Sequence, residues 1–269
     1  MEIDSPYLAV PGKKLDLSSI PTSDTGRFKD KEAGLAAAEK NLEKMATYQE
    51  RLYAEAKRSL LIVLQAMDTG GKDGTIEFVF SSIDPQGCSV TSFKAPTVTE
   101  LSHDDLWRVH QNTPARGMFG IFNRSHYEDV LVPPIKGWID REQTKKRYEH
   151  INAFEKMLVD EGTTILKFYL HISKDAQKER LIARQKDPAK QWKFNPSDLD
   201  ARQDWDKYMK SYEEIFDKCN TAAAPWYIVP ADRKWYRNYV VSEIIAKTLV
   251  QMDPKFPKVA IDPKQYVVE

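Results

Sequence analysis

Residues 60–75, Leu-Leu-Ile-Val-Leu-Gln-Ala-Met-Asp-Thr-Gly-Gly-Lys-Asp-Gly-Thr, constrain the fold more than any other segment of the chain. The apolar run at residues 60–64 is too short for a buried helix and glycines stop it, so we predict a strand. A glycine loop and the start of a helix follow. Backbone N–H groups in such a loop point into a concavity, and the helix N-terminus and Lys72 add positive charge. The segment therefore predicts a phosphate site.

The match to the phosphate-loop pattern G-x-x-x-x-G-K-[ST] is partial. Gly71 and Lys72 fit, but Ala66 replaces the first glycine and Asp73 replaces the hydroxyl that binds magnesium. Asp68 adds a carboxylate inside the loop. A Gly-Gly-Lys triplet alone is common in turns, but the strand before it and the helix after it favour the phosphate interpretation. The predicted phosphate-binding residues of this segment are Gly70, Gly71, Lys72, Asp73, Gly74 and Thr75.

Helices and strands alternate along the rest of the chain. Strands are predicted at residues 60–64, 88–93, 118–122, 163–172 and 226–229. Helices are predicted at residues 28–58, 74–82, 97–112, 142–161, 174–186, 197–218 and 233–251. This alternation is typical of an α/β, three-layer fold with a five-stranded, mostly parallel sheet and helices on both faces.

Helix starts and chain organisation follow from the same pattern. Thr97 and Glu100 have capping-box spacing, Ser173 is a predicted N-cap, and so is Ser197 or Asp198. We expect one domain over residues 1–269, with an extended arm at 1–27, a core at 59–251 and an extended tail at 252–269. The N-terminal helix, residues 28–58, either covers a sheet edge or pairs with another subunit.

Composition narrows the range of functions. Forty basic and forty acidic residues cancel, so no overall field attracts nucleic acid or an anionic membrane. The two cysteines, Cys88 and Cys219, argue against a disulfide framework and suit a reducing cytoplasm. No apolar run approaches the roughly 20 residues of a membrane span, and the first residues lack a signal-peptide layout. We expect a soluble, cytoplasmic protein without nucleic-acid or membrane partners.

The segment after the third predicted strand carries a second set of polar side chains, namely Asn123, Arg124, Glu128 and Asp129. In a parallel sheet it emerges beside the phosphate loop. Two carboxylates near phosphate groups make a magnesium site, and we predict Asp68 and Glu128 as its ligands. Arg124 would clamp a transferring phosphoryl group. The alternative is that Glu128 and Asp129 are surface charges stabilised by a helix dipole.

Cations are also concentrated at residues 180–205, where Arg180 and Arg184 share one helix face. In a charge-neutral protein this excess predicts a helical lid that closes over a polyanion and excludes water. A solvated charge run is the alternative, since Trp192 and neighbouring acids fit both. The further predicted phosphate-binding residues, in this segment and after the second and third strands, are Lys94, Arg108, Arg124, Arg180, Arg184 and Lys193.

Together these residues resemble the polyphosphate kinase 2 family over nearly the whole chain. The matching segments are residues 67–75, 92–96, 100–104, 106–108, 122–129, 192–194 and 224–232. The resemblance implies a phosphate-loop kinase core with a helical lid, and reversible, magnesium-dependent transfer of a terminal phosphoryl group from inorganic polyphosphate to a nucleotide. It also implies that Asp68 and Lys72 organise metal and phosphates, that Arg124 is a phosphate clamp, and that Arg180 and Arg184 are lid arginines.

Two positions distinguish subgroups of this family. Members that mainly phosphorylate nucleoside diphosphates tend to have Asp and Asn where this chain has Asn123 and Glu128. The Asn and Glu pair resembles the class III-like subgroup, which phosphorylates nucleoside mono- and diphosphates. The implied partners are polyphosphate, AMP, ADP, ATP and guanine nucleotides. The implied cofactor is Mg²⁺, with Mn²⁺ as a substitute, and the implied assembly is a homo-oligomer, either a dimer or a tetramer.

Phosphoryl transfer needs in-line positioning and neutralised charge rather than covalent chemistry from the protein. We therefore expect a polyphosphate:AMP/ADP phosphotransferase with Asp68, Lys72, Arg124 and Glu128 as catalytic residues. One alternative is an ATP-dependent nucleoside or nucleotide kinase of the thymidylate kinase-like group. Another is a non-catalytic polyphosphate-binding module, although a pure anion site gains nothing from carboxylates at Asp68 and Glu128.

Overall fold

The computed structural model describes residues 3–261, 265, 266 and 268. Five strands in this part of the chain form one parallel sheet in the order β2-β3-β1-β4-β5. They are β1 (Ser59–Gln65), β2 (Cys88–Ser92), β3 (Phe119–Asn123), β4 (Thr163–His171) and β5 (Trp226–Pro230). All five predicted strands are confirmed, with single-residue shifts at several ends. Since β1 is the middle strand, the predicted phosphate loop leaves the centre of the sheet.

Helices lie on both faces because the chain changes direction across the sheet. It runs from β1 to the β2 edge and then returns towards β5, and right-handed crossovers in opposite directions place their helices on opposite faces. The helices are α1 (Lys31–Glu55), α2 (Lys72–Val79), α3 (Val98–Leu101), α4 (Trp107–His110), α5 (Glu128–Ile135), α6 (Arg141–Asp160), α7 (Lys174–Lys186), α8 (Ser197–Gln203), α9 (Trp205–Lys218) and α10 (Lys234–Met252). Helix α10 packs against α1 and α2, and α5 contacts α6 and α9. All residues of β1 are buried, as expected for a strand covered on both faces.

The predicted helix at residues 97–112 is wrong as a single element. Its capping box is confirmed, since Thr97 accepts from the backbone of Glu100 and the Glu100 side chain accepts from the backbone of Thr97. The helix ends after one turn, and α4 starts separately. Asp104 Oδ1 accepts from the backbone N–H of Leu106 at 2.9 Å, a local bond that competes with helix continuation.

Helix α5 was not predicted because it contains Pro133 and Pro134. A proline inside a helix leaves the carbonyl four residues earlier without its usual N–H partner. Here Arg147 Nη1 donates to the carbonyl of Asp129 at 2.7 Å and replaces that bond. A side chain from α6 therefore satisfies the carbonyl that Pro133 leaves free, and the helix begins at Glu128.

Two further helix starts needed correction. The predicted N-cap at Ser197 or Asp198 is wrong, because α8 begins at Ser197 after Pro196, and the Ser197 N–H donates to Asn195 Oδ1 at 3.0 Å. The predicted helix at 197–218 is divided at Asp204 into α8 and α9. The predicted N-cap at Ser173 is confirmed, with its hydroxyl accepting from the backbone of Ala176.

The arm packs along the chain's own sheet. Leu8 forms an antiparallel bridge with Tyr227 of β5, and residues 17–19 form a short 3-10 helix. Helix α1 packs on α10 of the same chain, where Gly34 lies against Trp235. Parts of the predicted arm and tail, at residues 1, 2, 262–264, 267 and 269, lie outside the described residues. Within the described residues, every helix is too short or too polar to cross a membrane.

Candidate active site

The loop between β1 and α2 has the backbone of an anion-binding turn. The N–H of Gly70 donates to the carbonyl of Met67 at 2.9 Å, and Gly71 has φ of 101°. A Cβ at Gly70 would lie 2.7 Å from the Met67 oxygen, so only glycine fits there. Thr69 also has a positive φ, 61°, and its buried hydroxyl has no partner among the described residues. Strained backbone and an unsatisfied hydroxyl are typical of a site that completes its bonds with a ligand.

Lys72 is held inside this loop. It is the first residue of α2, it is buried, and its Nζ donates to the carbonyl of Ala66 at 2.8 Å. Burial and the positive charge of Arg124 lower the pKa of Lys72 to about 8. Nearby carboxylates oppose that shift, but none forms an ion pair with Lys72 among the described residues. The ammonium group is therefore poised beside the loop amides without a direct counter-charge.

Arg124 connects the end of β3 to the loop. Its backbone is left-handed, with φ of 62°, and its N–H donates to the carbonyl of Leu64 at 3.1 Å. This turn directs the guanidinium to the loop, where Nη2 lies 3.0 Å from Oδ1 of Asp68. A non-glycine residue in this conformation is strained, which is common where a side chain is directed at a ligand.

Glu128 completes the group at the start of α5. Burial raises the pKa of its carboxyl group, and the charge of Asp68 adds to this effect. Arg124 and Lys72 oppose it, so these four side chains interact electrostatically. The amide of Gln65, oriented so that both its ends are satisfied, donates to Glu128 Oε1 at 3.0 Å. The structure thus brings the four predicted catalytic residues together.

A contact between the predicted lid and the loop involves Asp73. Its carboxylate accepts from Asn123 Nδ2 at 2.8 Å and lies 3.3 Å from Lys193 Nζ. Partial burial alone would raise the pKa of Asp73, but these two partners lower it below its usual value. Lys193 belongs to a short 3-10 helix between α7 and α8, so the segment of the predicted lid reaches the phosphate loop.

The two predicted lid arginines have different surroundings. Arg180 donates to the carbonyls of Thr69 and Gly70, at 3.0 and 3.2 Å, and also to those of Ala231 and Asp232. Its guanidinium therefore joins the phosphate loop to the segment after β5. Arg184 pairs with Asp198 at 3.1 Å and so links α7 to α8.

Arg108 contacts two other residues that were predicted at the site, Lys94 and Asp129. Arg108 is buried and donates to the carbonyl of Lys94 at 2.9 Å, while its other nitrogen lies 3.3 Å from Asp129. Burial raises the pKa of Asp129 and Arg108 opposes it. The Lys94 side chain is exposed. Asp129 thus pairs with Arg108, and its charge also helps to raise the pKa of Glu128.

A buried network holds the segment that carries Arg124 and Glu128. Lys167 of β4 is fully buried, and its Nζ lies 2.7 Å from both Glu155 Oε2 and the hydroxyl of Tyr127. Glu155 Oε1 accepts from Tyr127 at 2.7 Å and lies 3.1 Å from His126 Nε2. Side chains of α6 and β4 therefore hold His126 and Tyr127, the two residues directly before Glu128, in place.

Sequence reasoning missed two residues near the loop. Arg237 of α10 is buried against Gly71, where a Cβ would lie 1.9 Å from Nη1. The sequence feature that could have identified Arg237 is its position on the apolar helix face that includes Val240, Val241 and Ile244, where a charged residue is unusual. Asp198 of α8 is also buried, and burial together with the charge of Asp68 raises its pKa to about 6. Nothing in its local sequence separates it from a surface acid.

Comparisons with known proteins identify the family of this chain. The model of the polyphosphate kinase 2 (PPK2) family matches residues 28–257. An AMP/ADP-polyphosphate phosphotransferase from Meiothermus ruber is 47% identical over 98% of this chain and 99% of its own. An ADP-polyphosphate phosphotransferase from Rhodopseudomonas palustris is 40% identical over 92% of this chain and 90% of its own. The crystal structure of polyphosphate kinase 2 from Arthrobacter aurescens superposes with a TM-score of 0.91 at 41% identity and covers 98% of this chain and 97% of its own. The chain belongs to the polyphosphate kinase 2 family.

Proposed function

We propose that this protein transfers the terminal phosphoryl group of inorganic polyphosphate to AMP and ADP. One observation carries the proposal: a loop lysine, an arginine and two carboxylates converge where β1 and β3 end, beside an amide-lined turn. The relative from Meiothermus ruber, which is named for AMP and ADP, supports both acceptors. The Asn123 and Glu128 pair supports the same conclusion.

Charge placement supports a direct transfer. An oxygen of the acceptor's terminal phosphate attacks the terminal phosphorus of polyphosphate; a P–O bond forms there while the bridging P–O bond breaks. The electron pair of that bond stays on the shortened polyphosphate. Lys72 and the backbone N–H groups of the loop bind the donor. Arg124 moves partly away from Asp68 and neutralises charge on the transferred phosphoryl group. No side chain needs to become covalently attached.

Asp68 and Glu128 are the proposed magnesium ligands. Both carboxylates interact with Arg124, but they repel each other. A divalent cation between them would relieve this repulsion. Among the described residues, groups of three or more metal-binding side chains are absent. Two carboxylates suffice for Mg²⁺, because waters and phosphate oxygens complete its shell. Bound there, Mg²⁺ or Mn²⁺ would neutralise phosphate charge and hold the phosphates in line.

The remaining features of the proposal concern the whole enzyme. Segment 180–205 acts as the lid, supported by the contact of Lys193 with Asp73. The reaction is reversible, since one phosphoanhydride is exchanged for another, and guanine nucleotides also serve as acceptors. The enzyme is a cytoplasmic homo-oligomer, either a dimer or a tetramer; the free thiols of Cys88 and Cys219 suit that compartment.

Parallel assays with AMP and ADP test the proposal, with polyphosphate as the sole phosphoryl donor. We expect ADP from AMP and ATP from ADP, both dependent on Mg²⁺. Lys72→Ala should lower both rates by about 10²-fold or more, because it removes the charge beside the donor. Lys156→Ala, which breaks an exposed pair with Asp160, is the matched control and should keep normal rates. Product formation from ATP but never from polyphosphate would contradict the proposal.

A further inference from the structure

Arg237 is a buried cation without a compensating carboxylate. Its side chain is 2% exposed, and its only hydrogen-bond acceptor among the described residues is Oδ1 of Asn238, at 3.1 Å from Nε and 2.8 Å from Nη2. Burial and the charge of Arg180 lower the pKa of Arg237 to about 9, and no negative group opposes them. Asp232, the nearest acid in sequence, accepts from Thr22 and from the N–H of Ser173 instead.

Such an arrangement is unfavourable for the fold alone. A buried charge is normally paired, because removing it from water is costly. Lys167 illustrates the normal case in this chain, since it is buried and lies 2.7 Å from Glu155. Arg237 lacks such a carboxylate partner among the described residues.

The position of Arg237 identifies what could compensate it. Its Nη1 packs on Gly71, and its Nη2 would lie 3.7 Å from a Cβ at Gly74. Both glycines belong to the turn that leads into α2, where backbone N–H groups and the helix dipole favour an anion. A phosphate chain on this turn brings several negative charges next to the guanidinium. In a poorly hydrated surrounding such a charge pair is strong.

We propose that Arg237 is a positioning residue of the phosphate site: it is held unpaired against Gly71 so that the bound polyphosphate anion supplies its counter-charge. The role rests on the proposed function, because it assumes a polyphosphate donor at this loop. In this role Arg237 increases the affinity for polyphosphate and does not stabilise the fold.

Arg237→Met tests the proposal, because methionine keeps the apolar stem and removes the charge. We expect the unliganded variant to unfold at the same temperature as the wild type or at a higher one. Its Kd for inorganic tripolyphosphate, measured by calorimetry with Mg²⁺, should rise about tenfold or more. Arg237→Lys should recover most of the affinity. The matched control is Lys156→Met, at an exposed pair with Asp160, which should change neither the unfolding temperature nor the Kd.

Each contrary result overturns the proposal. Unchanged tripolyphosphate affinity in Arg237→Met would do so, and so would a lower unfolding temperature without ligand, because Arg237 would then be structural. Equal loss of affinity in Arg237→Lys would exclude charge as the cause. Binding without phosphoryl transfer in the wild type would contradict the proposed function and leave the role of Arg237 intact.

Discussion

Nη2 of Arg124 lies 3.0 Å from Oδ1 of Asp68, so the cation that follows β3 pairs with the carboxylate that follows β1. Both side chains are partly exposed, at 38% and 26%, so solvent and ligands reach the pair. Under the proposed function, an arriving phosphate would compete with Asp68 for Arg124, and a metal ion would compete with Arg124 for Asp68. The proposed function therefore makes this pair a link between donor binding and metal binding.

Asp68→Asn should separate these two roles. An asparagine oxygen still accepts a hydrogen bond from Arg124, so the variant should remain folded. Loss of the negative charge should lower turnover by about 10²-fold or more and raise the Mg²⁺ concentration needed for half-maximal rate. Rates measured across a magnesium titration check this. Asp160→Asn, at an exposed pair with Lys156, should show neither change.

Gly71→Ala should disrupt the loop for two reasons. Its φ of 101° is unfavourable for alanine, and the new Cβ would lie 1.9 Å from Arg237. Gly12 has a similar φ of 78° but nothing within 4 Å of a Cβ, so Gly12→Ala isolates the backbone effect. We expect Gly12→Ala to cost about 1 kcal/mol of unfolding free energy, and Gly71→Ala to cost more and to abolish activity. Equal losses in urea unfolding would contradict the steric argument.

Asp198 should make stability pH-dependent in the mildly acid range. Burial raises its pKa in the folded protein from 3.8 to about 6, so the folded state binds this proton more tightly than the unfolded chain. Its favourable contribution is fully present below pH 3.8 and is lost as the pH rises through about 6. Relative to Asp198→Asn, the wild type should therefore lose unfolding free energy between these pH values. Urea unfolding of both proteins across that range measures the difference; a constant difference would exclude the shift.

Lys167→Met should destabilise the fold by about 3–5 kcal/mol, because it leaves Glu155 buried without its cation. Lys156→Met removes an exposed pair and should cost no more than about 1 kcal/mol. Denaturant unfolding compares the two variants. If Lys167→Met were as mild as the surface control, the network would not hold the segment before Glu128 as described.

The double variant Asn123→Asp/Glu128→Asn should shift acceptor use from AMP towards ADP. It moves a carboxylate away from Lys72 and Arg124 and places it opposite Asp73, which now accepts from Asn123 at 2.8 Å. The ratio of the AMP rate to the ADP rate, measured on one preparation with polyphosphate, is the readout. An unchanged ratio would exclude this pair as a determinant of acceptor choice.

The convergence of Asp68, Lys72, Arg124 and Glu128 was predictable, because the carboxyl ends of parallel strands lie at the same edge of a sheet. The pattern of β1, the glycines and Lys72 identified the loop, and the position of Arg124 and Glu128 after β3 placed them beside it. The sequence pattern did not predict local structure correctly where a side chain distant in sequence determines it. In helix α5, for example, Arg147 binds the carbonyl of Asp129 that Pro133 leaves free.

The amino-acid sequence alone predicted the alternation of strands and helices, the phosphate loop and the family resemblance. It could do so because periodicity, glycine spacing and short motifs are local properties. The packing of α7, α8 and α10 decided which charges reach that loop. It sets Arg237 against Gly71, binds Arg180 to the carbonyls of Thr69 and Gly70, and brings Asp198 near Asp68. These contacts join residues more than one hundred positions apart, and only burial in three dimensions makes their charges interact strongly.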